Sequence, residues 1–317
     1  MTLLLQRYSV SSSGIDLLPL YFRYEYPMNL PLVIGIQQLV ASSTHVVARS
    51  VAMAVPATTV VFYRGILSVL AYAGWIVLRR TPPVMTYFRA GDWWRFALLG
   101  LVNMPLNQYL FVAGLAYTTP PNAALAFALS PVFVLIMARI LLGERWTRPK
   151  LIGIILAVIG AGIVAIGRGA RLGTDALLGN IMELAASCAW SLYTVWGRPL
   201  VQRYGAVVTT AGGMLWGLVL FVPVAALVPG GIVTPFSLSL RAWLEIAYLG
   251  IITSGVGWAL WYMLLRHMEA SRLAVFNNLQ PLLTVLLAWI VFGELPPVEF
   301  WVGGSIAIAG VVLTQRG

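Results

Sequence analysis

Residues 93–164 recur at 243–314, displaced by 150 positions without a gap. Trp93 falls on Trp243, Leu99-Gly100 on Leu249-Gly250, Ala124 on Ala274 and Pro131 on Pro281. Gly143-Glu144 falls on Gly293-Glu294, Gly153 on Gly303 and Gly160 on Gly310. A chain that contains one unit twice is expected to fold as two similar halves. Each copy holds an odd number of apolar runs long enough to cross a bilayer, so the second copy sits upside down relative to the first. Inverted repeats with a site near the membrane midplane are the construction of secondary transporters.

The medium around those halves is lipid. With 60% hydrophobic and 9% charged residues and a mean hydropathy of +0.88, the chain lacks the polar groups needed to cover a water-facing surface. Apolar runs of about 20 residues recur throughout, the length of helix that spans a ~30 Å hydrocarbon core. Membrane β-strands would instead alternate in segments of about 10 residues. The fold class is therefore all-α integral membrane.

Ten spans are expected at 30–50, 57–78, 94–116, 121–142, 149–167, 176–197, 208–228, 242–264, 271–292 and 298–315, five per half. The net charge of +10 lies at span ends rather than on a basic face with interleaved aromatics, which argues against a nucleic-acid partner. Placing the N-terminus inside puts fourteen Arg and Lys in cytoplasmic segments, among them Arg79, Arg80, Arg145, Arg148, Lys150 and Arg272. Only four, Arg49, Arg168, Arg171 and Arg241, fall outside. That asymmetry places both termini in the cytoplasm of a multi-pass inner-membrane protein. Arg145, Arg148 and Lys150 have uncharged repeat counterparts in Leu295, Val298 and Phe300, as oppositely inserted copies need.

The chain divides into a segment 1–28, a first repeat 29–170 and a second repeat 171–317. The first segment reads either as a short tail or as sequence ahead of a start at Met28. The lone cysteine, Cys188, lies in an apolar run and reads as a small core residue.

Three stretches carry a family likeness: Tyr63-Arg64, Ser130-Pro131 followed by Leu142-Gly143-Glu144-Arg145, and Gly153 to Gly160-Ala161-Gly162. The second half repeats the last two as Gln280-Pro281, Phe292-Gly293-Glu294 and Gly303 to Gly310. With this order and duplication the chain resembles the EamA family of the drug/metabolite transporter superfamily over about residues 30–315. The resemblance implies a ten-helix exporter of amino acids or similar amphipathic metabolites. Gly213 stands where the repeat would place a second Arg64, so any role of that arginine is one-sided.

Several residues are candidates for lining a substrate path. Gln38, Ser42, His45 and Arg49 share one helical face, and a 149-residue shift maps them to Ser187, Ser191, Thr194 and Arg198. Such a recurring polar stripe belongs between the halves; the serines suit interhelical hydrogen bonds, and Gln38 and His45 suit a cavity. Arg64, eight residues into the second span, costs about 2.5–3.5 kcal/mol or more unless paired or hydrated. It reads as a counter-charge for a substrate carboxylate, or else as a side chain that snorkels toward the outer surface or bonds helix-end carbonyls. Glu183 is the deepest carboxylate and the proton-coupling candidate, with pairing to Arg64 as the alternative.

Asn103 and Asn107 flank Pro105, and Asn277, Asn278 and Gln280 crowd the turn before Pro281; their amides suit polar or zwitterionic ligands. Trp190, Tyr193 and Trp258 are interior aromatics fit for stacking or ordinary packing. Pro131 and Pro281 are expected helix hinges. Gly143-Glu144 and Gly293-Glu294 read as helix ends whose Glu caps a neighbour or pairs with Arg.

The competing class is an integral-membrane enzyme, or a lipid- or drug-handling protein on the same scaffold. His45 and His267 are the only histidines, no HExxH or P-loop pattern occurs, and no cofactor or metal is implied. A homodimer stays open.

Overall fold

The computed structural model describes residues 29–78, 91–167, 169–170, 176–228, 231–292 and 295–317. Residues 1–28, Arg79, Arg80, Arg89, Arg168, Arg171 and the pair Gly293-Glu294 lie outside the described residues. Every regular element among the described residues is helical.

Ten rods follow one another: α1 (Leu30–Ala52), α2 (Ala57–Leu78), α3 (Trp93–Gly114), α4 (Pro121–Leu142), α5 (Arg148–Gly167), α6 (Leu177–Tyr204), α7 (Ala206–Leu227), α8 (Leu240–His267), α9 (270–292) and α10 (Val298–Gln315). Eight of them are long and apolar enough to cross a membrane. The other two are α6, whose buried face carries Glu183, Ser187, Ser191 and Thr194, and α9, which a 3-10 turn interrupts at Val275–Leu279. Each odd connection crosses back, so the start of α1 and the ends of α2, α4, α6, α8 and α10 share one side, here the N-face; the other side is the O-face.

The contacts pair up as an inverted repeat requires. α3 packs on α7 as α8 packs on α2; α4 packs on α6 as α9 packs on α1; α5 and α10 pack on each other. The repeated Leu-Gly explains the first pairing. A Cβ on Gly100 would press into the backbone of Trp216 and Gly217, and one on Gly250 would stand 2.8 Å from Arg64 O. Between α5 and α10 the backbones themselves touch. A Cβ on Gly303 would lie 2.6 Å from Gly160 O, and one on Gly153 2.6 Å from Gly310 O. Small residues at such positions let helices approach where lipid supplies no hydrophobic drive.

Four rods are irregular, in two matched pairs. α4 breaks at Leu129 and restarts at Ser130-Pro131, and the last piece of α9 starts at Gln280-Pro281. Proline lacks the N–H that a helix interior would use, so a new first turn is where it fits. α3 and α8 each contain a π-helical stretch, Val102–Gln108 and Tyr248–Gly257. The 150-residue shift superposes these stretches, although Pro105 falls on Gly255. Since one has proline and the other glycine, the widened turn belongs to the fold rather than to either residue. Such turns concentrate at functional sites.

Candidate substrate-binding site

The π-helical turn of α8 holds Arg64. Its Nε donates to Ser254 Oγ at 2.7 Å and an Nη to Thr253 Oγ1 at 3.3 Å, and its guanidinium lies 5.6 Å from the Trp258 ring centroid. Those hydroxyls and the ring face offset part of the cost of a buried cation. Among the described residues no carboxylate forms an ion pair with it, Glu183 included. Arg64 is 2% exposed, yet it reaches the wall of a chamber of about 70 Å³ at the meeting of α1, α2, α3, α4, α6, α8 and α9.

That chamber gathers Arg64, His45, Asn107, Trp190 and Trp258 from widely separated stretches. Asn107 Nδ2 donates to Ala186 O at 2.9 Å, which fixes its amide at the α3–α6 contact. Trp190 and Trp258 pack with ring centroids 5.5 Å apart. Gln280, one of the amides before Pro281, also lines the chamber, as do Thr44, Gln37 and Gln108, which the sequence did not single out. Gln37 stands about 100° around the wheel from Gln38, off the polar stripe that the sequence marked out, and it is Gln37 that lines the chamber.

Other candidates stand back from the chamber. Gln38 donates to Gln37 Oε1 at 2.8 Å. Asn103 accepts from Gln108 Nε2 at 3.0 Å, so it supports a lining residue. Tyr193 is stacked on Tyr262, centroids 4.8 Å apart, within an aromatic layer that also includes Trp261. Asn278 faces α4 and α5, its amide oriented by Ala128 O at 3.0 Å and Val158 N at 3.2 Å. Glu183 is fully buried at the α3–α6 contact against Gly114, with neither oxygen hydrogen-bonded.

A second cavity, of about 580 Å³, lies on the chamber's O-face side. His45, Phe127 and Gln280 line both spaces and so form the partition between them. His45 Nε2 lies 3.1 Å from Gln280 Oε1, and its ring meets Phe111 and Phe127 edge-on at 5.2 and 5.7 Å. Asn277 and Pro281 line this outer vestibule.

The N-face is closed by charge. Gly143 ends α4 at φ 69°, and the following Glu144 turns to the start of α9, where its carboxylate accepts from the N–H groups of Ala270 (2.8 Å) and Ser271 (3.3 Å). Arg198 of α6 pairs with it at 2.9 Å. Buried Lys150 pairs with Glu269 at 2.8 Å. Burial alone would raise the Glu269 carboxyl; the hydrogen bond and charge of Lys150, with the charges of Arg272 and Arg198, hold it below its ordinary value.

Both halves of this architecture match one family. The EamA-like transporter family matches residues 32–166 and again 177–316, one match per repeat. The chain belongs to that family. It is a small-molecule transporter. Among its relatives, one from Streptantibioticus cattleyicolor is named "Probable terminal-alkyne amino-acid exporter"; it is 31% identical over 72% of this chain and 75% of its own. The uncharacterized transporter YyaM of Bacillus subtilis is 30% identical over 70% and 72%, and an Archaeoglobus fulgidus transporter 27% over 80% and 86%. A solved crystal structure superposes with a TM-score of 0.72 over 90% of this chain and 96% of that one. At 20% identity that likeness is one of fold.

Proposed function

We propose that this EamA transporter exports an amphipathic solute carrying a carboxylate, of the amino-acid type, by alternating access between its inverted halves. The carrying observation is Arg64. A buried guanidinium with no carboxylate partner among the described residues, steadied by two hydroxyls and set beside two tryptophans, suits a ligand with an anionic group and an apolar body. The exporter named from Streptantibioticus cattleyicolor supports the same solute class and direction.

The N-face is cytoplasmic in this reading, because Arg and Lys accumulate there. The described conformation then has its cytoplasmic side locked and its vestibule toward the outside of the inner membrane. Glu183 serves as the proton-coupling acid, acting at one remove through the α3–α6 contact that also holds Asn107.

Counterflow in proteoliposomes tests the reading. Vesicles loaded with an unlabelled amino-acid mixture should take up one labelled class saturably, and Arg64→Ala should raise its half-saturating concentration about tenfold or more. If no amino acid exchanges, the proposed solute class is wrong. If Arg64→Ala exchanges like the parent protein, the carboxylate is read elsewhere.

A further inference from the structure

Small-molecule sites enclose about 300–1,000 Å³. The chamber beside Arg64, at about 70 Å³, falls below that range, and the vestibule, at about 580 Å³, lies within it. Of these two spaces, the vestibule is therefore the one large enough for a solute in this conformation.

One wall of the vestibule carries a cation. Arg49 uses a single nitrogen, Nη1, to bond the Leu115 and Thr118 carbonyls that end α3, the latter at 3.2 Å. Those bonds immobilise the guanidinium. Its Nε and Nη2 have no partner among the described residues, and no carboxylate among them pairs with it. His45, Asn277 and Gln280 lie at the deep end, while Val46, Ala124 and Val285 make the walls apolar. Two unpartnered N–H groups on a fixed planar fork match a carboxylate, and apolar walls match a hydrocarbon or aromatic body. A single layer of side chains, His45, Phe127 and Gln280, separates this space from the Arg64 chamber.

We propose that the vestibule is a second binding site, which holds an amphipathic carboxylate by Arg49 after the solute has left Arg64 and before it departs. The order of occupancy rests on the export reading; the existence of the site does not. The occupant is the transported solute rather than a lipid, because only the shared side chains of His45, Phe127 and Gln280 stand between this cavity and the Arg64 chamber.

The test uses full-length protein in proteoliposomes, with Cys188→Ser and Ala124→Cys placing one thiol on the vestibule wall. The rate of labelling by a membrane-impermeant maleimide is measured against L-phenylalanine, 3-phenylpropionate and phenethylamine. The two carboxylates should slow labelling and the amine should not. Arg49→Gln should raise the protecting concentration about tenfold or more, Arg49→Lys by less, and Arg64→Gln by less than roughly twofold. The lysine variant keeps the test readable if loss of the Leu115 and Thr118 contacts unfolds the glutamine variant.

Protection that Arg64→Gln abolishes and Arg49→Gln leaves intact would overturn the proposal in favour of a single inner site. Equal protection by phenethylamine, or no protection by any probe, would overturn it as well. Protection only by phosphatidylglycerol added to delipidated protein would make the cavity a lipid cleft. Arg49-dependent protection without counterflow would sink the export reading and leave the site standing. Counterflow without Arg49-dependent protection would do the reverse.

Discussion

Glu144 at the end of α4 and Arg198 on α6 meet at 2.9 Å across the boundary between the two repeats. The same carboxylate accepts from the first free N–H groups of α9, where the helix dipole also favours a negative charge. One side chain thus ties three helices together on the N-face, directly below the aromatic layer that contains Tyr193 and Tyr262.

Glu144→Gln keeps the shape and removes the charge. Hydrogen bonds to charged groups are worth about 1.5–3 kcal/mol each, so loss of even one should move the balance between N-face-closed and N-face-open forms about tenfold or more. A cysteine at Thr44 on the chamber wall should then react faster with a reagent supplied from the N-face. An unchanged rate would show that the aromatic layer closes that side by itself.

Asp92, just before α3, anchors α6 from the other flank. It bonds Arg203 and Tyr204, each at 2.6 Å. Burial alone would raise its carboxyl; the Tyr204 and Arg203 hydrogen bonds and the charges of Arg203 and Arg95 outweigh burial and leave it below its ordinary value. A depressed acid contributes stability that is fully present above its unfolded pKa and is lost as pH falls through the folded value. Thermal unfolding in detergent should therefore show an acid limb that Asp92→Asn diminishes. Asp92→Asn should also lower the melting temperature at neutral pH, by about 2–4 °C for each kcal/mol lost.

At Gly153, Gly160, Gly303 and Gly310 the α5–α10 contact leaves no room for a side chain. Gly303→Leu must push Gly160 and Val164 aside, and overpacking of this kind costs about 1–3 kcal/mol or more. Size-exclusion and thermal-shift measurements should show lost or strongly destabilised protein. Gly162→Ala, where a Cβ would meet only Leu125 at 3.6 Å, should be close to neutral.

Glu183→Gln preserves volume at a site where neither carboxyl oxygen has a hydrogen-bond partner. If Glu183 carries the coupled proton, the variant should still exchange solute in counterflow but should not concentrate it in response to a pH gradient. Gradient-driven accumulation equal to that of the parent protein would remove Glu183 from the coupling step.

Much of the architecture was legible because lipid restricts a chain so strongly. Spans and inversion follow from apolar length and a 150-residue echo, and so does the presence of matched glycines on α5 and α10, though not which glycine faces which. The π-helical turns were not legible: Pro105 and Gly255 are equivalent by the repeat, but nothing in a local pattern says that both rods widen there. For the same reason Thr253 and Ser254 could not be foreseen as the hydroxyls that hold Arg64. The side-chain split between Gln37 and Gln38 is a matter of a fraction of a turn of α1, and that between Asn107 and Asn103 is reset by the widened turn of α3. The length of α6 also ran past expectation, to Tyr204, because Pro199 sits close enough to the end to be carried within the helix.

The backbone contact between α5 and α10 works like a pair of toothed racks. The hollow at Gly160 receives the backbone of Ala307, and the hollow at Gly310 receives that of Ala157. A slide along either rod would drive the tooth at Ala307 or Ala157 out of its notch, against neighbours that carry side chains. In the alternating-access cycle proposed above, the two halves would then keep one register at this seam. Relative motion would be left to rotation about it, with α5 and α10 as an axle and the interrupted α4 and α9 as the parts expected to swing.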